Sequence, residues 1–404
     1  MLPTSTQLSL KNLIPTQTLT NTITPAFTVT PTQPALDTPP APAIPEAATP
    51  QTTPWYGRED PLLPAPVYFL SSQSGSQQIW RAEVEDLALT QVTHFAEPVV
   101  EFGISPATGR LAFIKGDSLW LADETGANPQ AVSLAKIHYS QEDRITGTML
   151  AWSPDGTALA LGGRNGLWLY RVDLDSWEQV MAWDREYAYI WVDPRWAWAP
   201  DGTGLLVKTI AENSDFVQIV YVSISTGDIF LPDRLGAGHQ FSWSVDGKSV
   251  YASAYFVNVD WGMEPGLLRW SVESNTTTPL IGSGELRTGN NLSFVAGTQE
   301  GPQDLLYFFL GSGEFMGYLD RDETASLRLY RAHRDDLSDR EALRSDTFDC
   351  LQEVLWAPDM NLAVILECDE PGYCSGAIRL ITPDDRPPIA IVTEGMRIRW
   401  GKSE

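Results

Sequence analysis

The 404-residue chain has four imidazoles, His94, His138, His239 and His333. None belongs to a His-x-x-x-His pair or lies beside a Cys-x-x-Cys, so no metal site is expected. His239, in Gly238-His239-Gln240-Phe241, heads a short apolar run. An imidazole there could hold an anion or a metal, carry a proton, or serve only as a structural hydrogen-bonding group. Comparable places carry Asp193 with Arg195, Asn290 and Asn291, Gln352 and Glu353, and Thr148. If these converge, they form the polar mouth of a concave binding site. The acidic stretches Asp320-Arg321-Asp322-Glu323 and Asp335-Asp336 lack the alternating spacing of a calcium loop. No Gly-x-Ser-x-Gly elbow occurs, and no carboxylate pair stands out for glycosidic chemistry. No catalytic residue and no cofactor is therefore assigned.

Two further groups could act. Tyr187, Tyr189 and Trp191 crowd a connection between two of the repeated units described next. They could offer a flat platform to a sugar ring or a protein partner, or pack between the units. The three cysteines, Cys350, Cys368 and Cys374, all fall near the C-terminus. Cys368 and Cys374 flank a short loop and are expected to form a disulfide. Cys350 facing Cys368, or reduced core thiols, are the alternatives.

The elements that must position these residues are copies of one unit. Its clearest form is Trp152-Ser153-Pro154-Asp155-Gly156 followed by Leu159-Ala160-Leu161 and then Leu167-Trp168-Leu169-Tyr170-Arg171-Val172-Asp173. Pro presets the second turn position, Asp suits the third, and Gly accepts the positive φ after it. The short apolar flanks read as strands. Copies start at Phe102, Trp198, Trp243 and Trp356, and Pro106, Pro154 and Pro200 recur at the spacing of one four-stranded propeller blade.

The expected architecture is all-β: a β-propeller of four-stranded antiparallel blades at about 98–135, 147–183, 194–233, 239–282, 290–348 and 351–393. A first blade, from Pro66, lacks an inner strand. Met396-Arg397-Ile398-Arg399-Trp400 is expected to supply that strand and close the ring. This gives seven blades, or six if the 290–348 unit, which lacks the turn motif, is an insertion. Long loops are expected at Asn258 to Gly266 and Gly311 to Ala325.

The repeat resembles the WD-like propeller unit of TolB-type proteins and of the propeller domains of prolyl-oligopeptidase-type enzymes, over about residues 66–401. The resemblance implies fold more than function, since its motif residues make turns and packing. The hydrolase domain of the oligopeptidases has no counterpart motif here.

Residues 1–60 are rich in Thr and Pro, as in Asp37-Thr38-Pro39-Pro40-Ala41-Pro42, and are expected to be a disordered stalk before a propeller domain at 61–404. Lys+Arg 27 against Asp+Glu 52 gives a net charge of -25, which repels phosphate backbones and argues against a nucleic-acid partner. No apolar run is long enough to span a membrane. The stalk suggests an extracellular or cell-envelope protein whose export segment is absent from this chain, with the cytoplasm as the alternative. The functional expectation is a monomeric, non-catalytic binding or scaffold module for a protein or glycan. The alternative is a hydrolase or lyase acting on a glycan or peptide at the channel mouth.

Overall fold

The computed structural model describes residues 62–134, 137, 150–163, 165–182, 189–210, 217–232, 235, 240–253, 266–281, 287–288, 291–314, 326–349, 351–368 and 375–403. Residues 1–60 lie outside them. The described residues form seven blades of antiparallel strands. No helix among them is long and apolar enough to cross a membrane.

Blade 3 shows how the sequence builds a unit. Its strands are Leu150–Trp152, Ala158–Gly163, Gly166–Arg171 and Ser176–Ala182, paired in that order. The first two are wholly buried, whereas the last is mostly exposed. Apolar composition falls from channel to rim accordingly. The turn after Trp152 is held by its own side chains. Ser153 Oγ donates to Asp155 Oδ1 (2.6 Å), the Thr157 amide donates to the same oxygen (3.0 Å), and Gly156 takes φ 71°. A Cβ on Gly156 would also collide with Ser105 of blade 2, so the position needs glycine twice over. Asp246 repeats both bonds, and Asp201, with Ala199 in place of the serine, repeats the amide bond. In blade 7 the motif reads Asp359-Met360, and Met360 itself adopts φ 59°, with its side chain buried in the core.

The motif tryptophans lock the blades together. Trp152 Nε1 donates to the Gly103 carbonyl of blade 2 (3.3 Å) and Trp198 Nε1 to Ala151 of blade 3 (3.1 Å). Trp243 reaches Trp196 of blade 4 (2.7 Å), Trp356 reaches Gly297 of blade 6 (2.8 Å), and Trp400 reaches Trp356 of blade 7 (2.8 Å). Each indole fills the gap to the preceding blade and satisfies a backbone acceptor there.

Closure follows the expected route. The strand Ile389–Trp400 is the outer strand of blade 7, paired with Gly376–Ile381, and then the inner strand of blade 1. There Val67 pairs with Trp400, Tyr68 with Arg399 and Leu70 with Met396. Blades 7 and 1 thus share one seven-stranded sheet.

Blade 6 is a full blade, as the count of seven expects. Its strands Asn291–Glu300 and Leu305–Glu314 are joined by a turn in which Gln303 and Asp304 both have positive φ, a different solution to the same reversal. The expected loop from Gly311 is therefore strand as far as Glu314; 315–325 lies outside the described residues, as does 258–265. The inner strand of blade 4 is Tyr189–Trp191, which pairs with Gly204–Ile210, so Tyr189 and Trp191 are not in a connection. Pro194 has no N–H for the ladder. The chain instead makes a turn in which the Trp196 and Ala197 amides donate to the Asp193 carbonyl, and only Trp198 rejoins, bridging Leu205.

Candidate functional site

Inner strands contact one another from blade 1 to blade 3, from blade 5 to blade 7 and across the closure, and one place on or just beyond the inner strands recurs. It lies three residues before the motif indole: Arg195 before Trp198, Gln240 before Trp243, Glu353 before Trp356, Arg397 before Trp400 and, where blade 2 has Ile104 instead, Glu101. In blades 2 and 7 a register shift next to this residue marks a β-bulge, and in the closing strand Arg397 itself takes φ 59°. Bulges re-aim side chains, here toward the channel.

The result is a network of ion pairs joining blades 1, 2, 4 and 7. Arg195 grips Asp193 through Nε (2.8 Å) and Nη2 (2.5 Å), and its Nη1 lies 3.8 Å from Glu353 Oε1. Glu353 Oε2 accepts from the Ile398 amide (3.0 Å) and from Arg399 Nη1 (3.1 Å). Arg399 Nη2 lies 3.7 Å from Glu101 Oε1, and Arg397 Nε lies 3.4 Å from Glu101 Oε2. The three carboxylates and Arg399 are buried, whereas the Arg195 side chain keeps 25% of its surface.

Burial alone would raise the Asp193 carboxyl, but the Arg195 guanidinium outweighs it and holds Asp193 well below the usual carboxylate range. Arg195 is raised in turn: burial pulls it down, but Asp193, Glu353 and Glu101 together push it up. Burial also raises Glu101, against the pull of Arg397, Arg399 and the Phe102 amide. Lys208, on the second strand of blade 4, stands 5.4 Å from the rings of both Trp196 and Phe241, and burial lowers its ammonium to about 8.

Of the expected channel residues, the structure brings together Asp193, Arg195 and Glu353. Gln352 points elsewhere, its Nε2 lying 3.5 Å from Cys368 Sγ. Thr148, His239 and Asn290 lie outside the described residues, as does Tyr187, and of Asn291 and Tyr189 only the strand position is described. Trp191 is half-buried on its strand. Cys368 is disulfide-bonded; Cys350 and Cys374 are both outside the described residues. Glu101, Gln240, Arg397 and Arg399 were missed. The fixed offset from the motif indole would have found Gln240 and Arg397; Glu101 stands at the same offset from Ile104, and Arg399 reaches the cluster from one residue before Trp400. Among the described residues no group of three or more His, Cys, Asp or Glu could hold a metal ion.

No protein-family model and no curated protein matches the sequence. Solved structures do match. A puromycin-hydrolyzing peptidase of Mycobacterium tuberculosis is 13% identical with a TM-score of 0.54, over 83% of this chain and 53% of that one. Prolyl oligopeptidase B from Galerina marginata is 11% identical with a TM-score of 0.53, over 85% and 50%. TolB from Agrobacterium tumefaciens is 14% identical with a TM-score of 0.39, over 71% and 88%. The chain spans about half the length of the two peptidases, and likeness at such identity concerns fold alone. The chain is a seven-bladed β-propeller, the fold of the propeller domains of prolyl-oligopeptidase-type enzymes.

Proposed function

We propose that the chain is a non-catalytic binding or scaffold module that engages a protein or glycan partner on one face of the propeller. One observation carries this reading: the channel charges are committed to one another. Each of Asp193, Glu353 and Glu101 has a guanidinium within 3.4 Å. A general acid or base works near its own pKa, whereas Asp193 is held low and Arg195 high. A hydrolase or lyase using His239, Arg195 and Glu353 would first have to free two of them from these pairs; a binding module uses them as they stand.

The Cys368 disulfide supports an oxidising compartment, and the Thr/Pro segment would serve an exported, monomeric module as its tether. The test is a panel of glycans and peptides offered to the full chain, read both for binding and for turnover. Saturable binding without turnover is expected. Turnover that disappears in His239→Ala would overturn the proposal.

A further inference from the structure

Between the inner strands of blades 4 to 7 lies a cavity of about 140 Å³ whose walls include Trp196, Gln240, Phe241, Ser242, Thr298 and Trp356, with Arg195 at one side. Three of these residues carry a polar atom with no hydrogen-bond partner: Trp196 Nε1, Ser242 Oγ and Thr298 Oγ1. Their residues are 2%, 8% and 8% exposed and come from three different blades. Trp80 and Trp120 also carry unpartnered indoles, whereas five others each donate to a carbonyl of a neighbouring blade. Buried donors and acceptors left unmade are costly, so three around one cavity mark a place for a guest that supplies the missing bonds.

The chemistry of the walls narrows that guest. One indole N–H and two hydroxyls can together donate and accept. The nearby ion-pair network is balanced, three guanidiniums against three carboxylates, and burial already disfavours the charged form of Lys208, 5.4 Å from the Trp196 and Phe241 rings, so an ionic guest gains little for its desolvation. Trp196, Phe241 and Trp356 provide apolar surface for C–H groups. The size suits one ring rather than an extended ligand.

We propose that this cavity is a subsite for a neutral, hydroxyl-rich ring, the terminal residue of an uncharged glycan, hydrogen-bonded by Trp196, Ser242 and Thr298. The inference rests on the binding-module reading above and gives it a ligand class and a location.

The test titrates the full chain with glucose, galactose, mannose and N-acetylglucosamine, with glucuronate and glucosamine as charged counterparts, followed by tryptophan fluorescence and calorimetry. At least one neutral sugar should saturate with a Kd of about 1 mM, as befits a single small ring. Ser242→Ala and Thr298→Val should each weaken it by about tenfold, the value of one hydrogen bond, without lowering the melting temperature, because each removes a polar atom that the unliganded fold leaves unsatisfied. Three results would overturn the proposal: no saturation by any neutral sugar up to roughly 20 mM, saturation by the charged sugars alone, or binding indifferent to both variants. If the subsite fails but the panel above still shows another partner bound without turnover, the module reading stands. If turnover is found while both variants weaken the sugar, the subsite stands and the module reading falls.

Discussion

The Glu353–Arg399 pair offers the sharpest test of the channel network. Both residues are nearly inaccessible, at 5% and 6%, and each holds a second partner: Arg195 faces Glu353, and Glu101 faces Arg399. Glu353→Gln leaves three guanidiniums against two buried carboxylates, and Arg399→Met leaves the reverse. Stranding a buried charge costs about 3–5 kcal/mol. The double variant leaves Asp193 with Arg195 and Glu101 with Arg397, two balanced pairs. It should therefore cost about as much as one single variant rather than the sum, a coupling of at least about 2 kcal/mol. Urea unfolding followed by tryptophan fluorescence, with an unchanged slope, would measure it. For a domain of this size about 3 kcal/mol lowers the melting temperature by roughly 4 °C. Single-variant costs that add to within about 0.5 kcal/mol would show that the channel charges do not sense one another, and the network described here would be wrong.

Lys208 should resist protonation, since burial lowers it from 10.5 to about 8. Between those values the unfolded chain binds a proton the folded chain does not, so stability rises with pH across that window and the full penalty stands below it. Lys208→Met should stabilise the fold at pH 7 by about 2 kcal/mol, roughly 3 from the relieved shift less about 1 lost from the ring contacts. The gain should vanish near pH 10.5; a destabilised variant at pH 7 refutes this. Trp152→Phe and Trp400→Phe should each cost about 1–2 kcal/mol in urea unfolding, because each orphans a backbone carbonyl; two neutral changes would demote the indole locks to packing. Non-reduced peptide mapping should find Cys368 joined to Cys374. A Cys368–Cys350 peptide would disprove that pairing, and reduction of so short a loop should lose about 2 kcal/mol.

The ring was legible because its signals are local. Ser-Pro-Asp-Gly turns and short apolar strands recur at blade spacing, and Met396–Trp400 imitates the strand before each turn. The blade 4 boundary was not, because Pro194 and the turn at Asp193 displace the inner strand upstream of the motif. Glu101 sits inside the apolar run Val99-Val100-Glu101-Phe102, where a search for polar residues at strand starts passes over it. Arg397 and Arg399 acquire Glu101 and Glu353 as partners only through closure, between positions some three hundred residues apart for Glu101. The motif residues were expected to make turns and packing; the tryptophans' hydrogen bonds to the preceding blade depend on ring geometry that no single repeat contains.

The strand Ile389–Trp400 has a consequence for how the molecule comes apart. A row of stacked repeats can fray from either free end, one unit at a time. Here one continuous strand belongs to two blades and bonds to Val67–Leu70 from the far side of the sequence, so the row has no free end to fray. Slow amide exchange should be shared evenly round the ring, blade 1 included, rather than graded from a strong middle to weak ends. The same clasp makes assembly late and non-local: blade 1 cannot bury its open edge until residues 396–400 arrive, which predisposes the fold to slow closure.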